Sequence, residues 1–105
     1  MQIDIIFEEL VKTYGEEFPW LIVKPDSSFV SEAYREIAAD HPLFGIKLTC
    51  LAKCEANDDA LFYTEHGQFV IIHLTYSKTN AAGFPRYQLF DTHLELKLYI
   101  EQTVM

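Results

Sequence analysis

The stretch Ala60-Leu61-Phe62-Tyr63-Thr64-Glu65-His66-Gly67-Gln68-Phe69-Val70-Ile71-Ile72-His73-Leu74-Thr75-Tyr76 decides how this chain folds. Two apolar, aromatic-rich runs, 60–65 and 68–76, flank His66-Gly67. That pattern reads as two antiparallel strands joined by a two-residue turn, with Gly67 supplying the positive φ that tight hairpins need. In this register Glu65 opposes Gln68, Tyr63 opposes Val70 and Leu61 opposes Ile72, with Leu74 continuing the row. This side is the expected core face. The other side places Thr64 opposite Phe69, Phe62 opposite Ile71, and Ala60 opposite His73, joined by Thr75, Arg86 and Gln88. Left open, Phe62, Phe69 and Ile71 would form an apolar patch on the order of a few hundred Å², a size that often marks an interaction surface.

The pattern extends on both sides of the hairpin. Ile46, Leu48, Cys50, Ala52 and Cys54 alternate with Lys47, Thr49, Leu51 and Lys53, which predicts a strand with one buried face. Residues 77–85 read as a loop holding Lys78, Asn80 and Gly83, and Arg86 to Phe90 as a further strand. Near the start, Ile3, Ile6, Phe7, Leu10, Val11 and Tyr14 recur at helical spacing, with Asp4, Glu8, Glu9 and Lys12 on the other side and Gly15 as a C-cap. Trp20 to Val23 is a short apolar run, either an edge strand or a buried connection. Pro25-Asp26-Ser27-Ser28 starts a second helix whose apolar stripe is Val30, Ala33, Tyr34 and Ile37. Glu32, Arg35, Glu36 and Asp40 are expected to face water, and His41-Pro42 ends the segment. Thr92-His93-Leu94-Glu95 is a capping box opening a last helix, with Leu94, Leu98, Tyr99 and Ile100 as its apolar side.

Short connections favour antiparallel neighbours. The expected architecture is α+β: a two-layer sandwich with an antiparallel meander sheet of three to five strands and about three helices mainly on one face. At 105 residues the chain, 1–105, is expected to be a single domain.

Composition bounds the function classes. Half of the residues are hydrophobic and 14% are aromatic, which argues against disorder. Sixteen acidic residues against eight basic ones give a formal charge of −8. Such a surface repels nucleic acid and anionic membranes, keeps a protein soluble, and attracts a basic partner protein. Met1 to Phe7 carries Asp4 and no basic cluster, so no signal peptide is expected. The apolar runs fall far short of a membrane span, and the expected location is the cytoplasm. Cys50 and Cys54, on one strand, would stand about 13 Å apart on one face, beyond disulfide reach, and read as inert core thiols.

No phosphate-binding, dinucleotide, nucleophile-elbow or zinc-protease motif is present. Asp58-Asp59 reads as a solvated turn, and His41, His66 and His93 lack partners at metal-ligand spacing. Neither catalytic residues, a metal nor a cofactor is therefore assigned. His73, Thr75, Tyr76 and Arg86 are the one constellation that would serve an anionic ligand or an acid–base step, provided that they converge in a pocket.

The segments Asp58-Asp59-Ala60-Leu61-Phe62, His73-Leu74-Thr75-Tyr76-Ser77 and Phe84-Pro85-Arg86 resemble a pattern in small bacterial proteins of unknown function. The resemblance covers the C-terminal half and implies a bacterial source without any activity. In size, acidity and layout the chain is also similar in type to bacterial immunity proteins, which neutralise toxins by surface complementarity. The expected function is a non-enzymatic interaction module acting on a protein partner or on itself as a homodimer. Its expected surface is Phe62, Phe69, Ile71, His73, Thr75 and Arg86. The alternative is a small-molecule-binding protein or enzyme with a site around His73, Thr75 and Arg86.

Overall fold

A computed structural model describes residues 3–15, 18–77 and 83–104. Lys78 and Asn80 of the expected loop lie outside the described residues. The elements run α1 (Ile3–Tyr14), β1 (Trp20–Ile22), α2 (Ser28–Glu36), β2 (Leu48–Cys54), β3 (Asp59–Thr64), β4 (Phe69–His73), β5 (Tyr87–Phe90) and α3 (His93–Val104). The five strands form one antiparallel meander in chain order, β1-β2-β3-β4-β5. The α+β class, the meander and the three helices stand as read from the sequence, and Trp20–Ile22 is an edge strand. Among the described residues no helix is long and apolar enough to cross a membrane.

The hairpin register differs by one residue from the expected one. Tyr63 pairs with Phe69, Phe62 with Val70, Leu61 with Ile71, Ala60 with Ile72 and Asp59 with His73. The turn has three residues, Glu65, His66 and Gly67. The Gly67 N–H donates to the Thr64 carbonyl at 3.0 Å, and the Thr64 N–H donates to the Gln68 carbonyl at 2.8 Å. The Thr64 hydroxyl accepts from the N–H groups of His66 and Gln68, each at 3.2 Å. Gly67 alone in this turn takes the left-handed conformation, at φ +83°. A two-residue turn of the mirror-image type would need positive φ at His66 too, an uncommon conformation for any residue that carries a Cβ. A type I turn closed by a glycine bulge asks it only of Gly67.

β2 carries a second irregularity. Cys50 pairs with Phe62, yet Ala52 pairs with Leu61, so Leu51 is an extra residue in a β-bulge. The five alternating small and apolar residues therefore do not share one face. Leu48 and Cys50 point to one side, while Ala52 and Cys54 point to the other.

These two shifts sort the side chains into two cores. Ile6, Phe7 and Leu10 of α1 and Leu96 and Ile100 of α3 pack on Trp20, Cys54, Leu61, Phe69, Ile71 and Phe90. On the opposite face, Ala33 and Ile37, with Leu43 from the following segment, cover Leu48, Cys50, Ala60, Phe62, Val70 and Ile72. The sheet face expected to lie open is thus covered by α2. Phe62 (0% exposed), Phe69 (2%) and Ile71 (0%) do not form an exposed patch. They also lie on different faces, Phe62 under α2 and the other two under α1 and α3. The continuous run Phe69-Val70-Ile71-Ile72 is what a strand buried on both sides requires.

The helices show related departures. Glu36, expected to face water, is buried, while Tyr34 is exposed and its hydroxyl accepts from the Leu48 N–H at 2.8 Å. Leu94 and Leu98 are exposed, and α3 buries Leu96 together with the expected Ile100. The hydroxyl half of the α3 capping box forms as expected. The Glu95 N–H donates to the Thr92 hydroxyl at 3.1 Å, and that hydroxyl also meets the Glu95 carboxylate at 3.2 Å. Thr92→Ala removes the cap and is expected to lower unfolding stability by about 1 kcal/mol, measured as a shift in the denaturation midpoint at unchanged slope.

Candidate functional site

The residues singled out in the sequence are only partly brought together in the fold. His73 lies on the α1/α3 face, where its Nδ1 is in contact with the carboxylate of Asp59, its cross-strand partner. Tyr99 of α3 stands near this pair: its phenol is pushed up, first by burial and then by the Asp59 charge. Thr75 turns instead toward α2, where its N–H and hydroxyl both donate to Glu36. Arg86 is exposed and places its guanidinium 5.1 Å from the ring centroid of Phe84. Arg86 lies across the strand from His73, whose N–H donates to the Arg86 carbonyl at 2.8 Å, but Thr75 is held on the other side, so the three do not converge on one pocket. The reason is that β4 ends at His73, and Glu36 draws the next residues to the opposite side of the sheet.

Other reactive side chains serve the fold. The buried His41 accepts from the Leu43 N–H at its Nδ1, 3.0 Å away, and its Nε2 lies 2.8 Å from the Pro85 carbonyl, an arrangement that suits a proton on Nε2. Among the described residues no three His, Cys, Asp or Glu side chains group as metal ligands. Cys50 and Cys54 are buried and not bonded to one another. Burial pushes the Cys50 thiol up, so at a given pH it holds less thiolate than a free cysteine. Both thiols are expected to resist a thiol-specific reagent at mildly alkaline pH while the domain is folded, and to react together once denaturant unfolds it.

A concave apolar groove and exposed aliphatic side chains come together at the lateral edge formed by β1 and α1. Along β1, the Pro19 carbonyl accepts from Glu55 at 2.7 Å and the Val23 N–H donates to the Leu51 carbonyl at 3.1 Å. Strand alternation then turns the main-chain groups of Leu21 toward β2 and those of Trp20 and Ile22 outward, away from the sheet. Leu21 (51% exposed) and Ile22 (50%) stand on this edge with their side chains on opposite faces. Helix α1 flanks it. Ile6, Phe7 and Leu10 go into the core, Glu9 reaches Lys97 of α3 at 3.1 Å, and Glu8, Val11 and Lys12 are left on the edge side. Between helix and strand lies a groove of about 580 Å³ lined by Phe7, Val11, Trp20, Leu21 and Ile22, with Glu8 and Lys12 beside them. The Trp20 indole is buried, and its Nε1 has no hydrogen-bond partner among the described residues.

Sequence reasoning offered an edge strand here as one of two readings but assigned it no role in binding. Trp20-Leu21-Ile22 is too short for periodicity to assign its faces. Val11 fits the apolar stripe of α1, but at 49% exposure it lies on the flank of that stripe. No protein-family model, no curated protein and no solved structure matches this chain.

Proposed function

We propose that this chain is a non-enzymatic protein-interaction module that docks a partner polypeptide along the β1–α1 edge. One observation carries the reading: outward-facing main-chain groups of an edge strand lie beside an apolar groove and two half-exposed aliphatic side chains. An unpaired edge is a template for another strand, and an adjoining pocket gives such pairing side-chain specificity. The engagement of Glu36, His41 and Cys50 in the fold agrees with a binding role. The excess of acidic residues, sixteen against eight basic, slows encounter with an acidic partner at long range and leaves the contact itself to the apolar groove.

The test is affinity capture from an extract of the native cell, using the wild-type chain, Ile22→Lys and Leu98→Lys as baits. Ile22→Lys places a charge at the groove, while Leu98 is exposed on α3 and does not line it. Protein bound by wild type and by Leu98→Lys is expected to fall at least about tenfold with Ile22→Lys, the loss that burying one unpaired charge produces. Equal capture by all three baits would remove the edge from consideration.

A further inference from the structure

We infer that the occupant of this edge is a second copy of the same chain, paired β1 to β1 about a twofold axis through Leu21. The inference rests on the proposed binding role of the edge and adds the partner and the register.

The geometry of β1 suits self-pairing. The main-chain groups of Leu21 face β2, so toward a new strand Leu21 is a non-hydrogen-bonded position, and Trp20 and Ile22 on either side are hydrogen-bonding ones. An antiparallel copy centred on Leu21 sets Trp20 against Ile22 of its mate, twice. Each such pair exchanges both main-chain hydrogen bonds. The two Leu21 side chains meet at the axis on the α2 side of the sheet, where strand pairs of this kind come closest.

The side chains are self-complementary in the same register. Ile22 projects on the α1 side and lies opposite Trp20 of the mate, so the half-exposed Ile22 of one copy faces the groove lined by Phe7, Val11 and Trp20 in the other. Glu8 and Lys12 sit one turn apart beside that groove. With two α1 helices running antiparallel across the axis, Glu8 of each copy is brought toward Lys12 of the other, giving two equivalent ion pairs. One surface thus carries a knob and its hole, and an acid and its base, as an isologous interface demands. The charge of −8 on each copy opposes association. At physiological ionic strength that repulsion is screened beyond about 8 Å, while the contact itself is apolar at its centre.

The experiment combines sedimentation equilibrium with symmetric cross-linking at physiological salt. The wild-type mass is expected to rise from that of one chain toward that of two as concentration increases, and Ile22→Lys to remain at one. Leu21→Cys is expected to form a disulfide-linked dimer on mild oxidation, because residues facing each other at a non-hydrogen-bonded position have Cα atoms about 4.5 Å apart, within disulfide range. Ile22→Cys is expected not to link, since the two copies of residue 22 would lie roughly 8 Å apart. Leu94→Cys, exposed on α3, reports random collision. A wild-type chain that stays at the mass of one copy, or Leu21→Cys linking no faster than Leu94→Cys, overturns the second copy as occupant. So does linkage through Ile22→Cys in place of Leu21→Cys. In those cases, edge-dependent capture of another protein in the bait experiment would leave the binding role standing with a different partner, and its absence would remove both.

Discussion

Phe62→Ala is expected to cost this domain about 3–5 kcal/mol, enough to consume much of the stability of an ordinary small domain. Phe62 is the largest of the wholly buried side chains. It pairs with Val70 on one side and Cys50 on the other, and α2 closes over it through Ala33 and Ile37. Truncation removes the transfer energy of the ring and leaves a cavity that two rigid neighbouring strands cannot collapse to fill. Urea denaturation followed by far-ultraviolet circular dichroism reads the effect as a lowered midpoint. The measurement also decides the register. On an open sheet face the same substitution would fall within about 0.5 kcal/mol, as surface changes usually do. A loss of that small size would show that Phe62 is not beneath α2.

Glu36→Ala is expected to cost about 2–4 kcal/mol, a large effect for a charged residue on a helix that otherwise reads as solvent-facing there. The Glu36 side chain is fully buried. Its carboxylate accepts from the Thr75 N–H at 2.8 Å, the Thr75 hydroxyl at 3.1 Å and the Tyr76 N–H at 2.9 Å. The Arg35 guanidinium lies 3.8 Å away and also contacts Glu32. This carboxylate takes over where the β4 ladder stops. Tyr76 has φ +56°, a conformation unfavourable for a bulky residue and one that brings successive N–H groups toward the same acceptor. Alanine leaves those donors without this acceptor. Glu36→Gln keeps one carbonyl oxygen and is expected to recover part of the loss. Amide exchange at Thr75 and Tyr76 separates the local effect from a global one: both amides should lose protection in Glu36→Ala before the sheet does. Unchanged exchange there would show that the carboxylate does not hold the segment.

The two expected results concern residues that local sequence reasoning places wrongly, for related reasons. Periodicity finds strands well, because alternation or a continuous apolar run is a property of neighbouring residues. It assigns faces only when the register is known, and a slip of one residue moves every side chain to the other face. Here the slip came from the turn. A histidine before the single glycine favours the three-residue loop that the Thr64 hydroxyl ties down. The bulge at Leu51 then divided an alternating series that looked uniform. Of the site, His73 was visible as a polar residue in an apolar strand. Its contact with Asp59 depends on cross-strand register, and the separation of Thr75 from it depends on Glu36, 39 residues away.

The amino-acid order by itself determined the α+β class, the hairpin around Gly67, the amphipathic first helix and the Thr92 cap, because each rests on interactions within a few residues. Tertiary structure alone decided that α2 closes the second sheet face, that Glu36 is buried, and that the β1 edge of the sheet, Trp20–Ile22, falls beside α1. Those outcomes depend on which surfaces meet across long sequence separations. Burial of apolar area is non-directional, so local pattern shows how much surface must be covered but leaves the covering element to the packing of the whole chain.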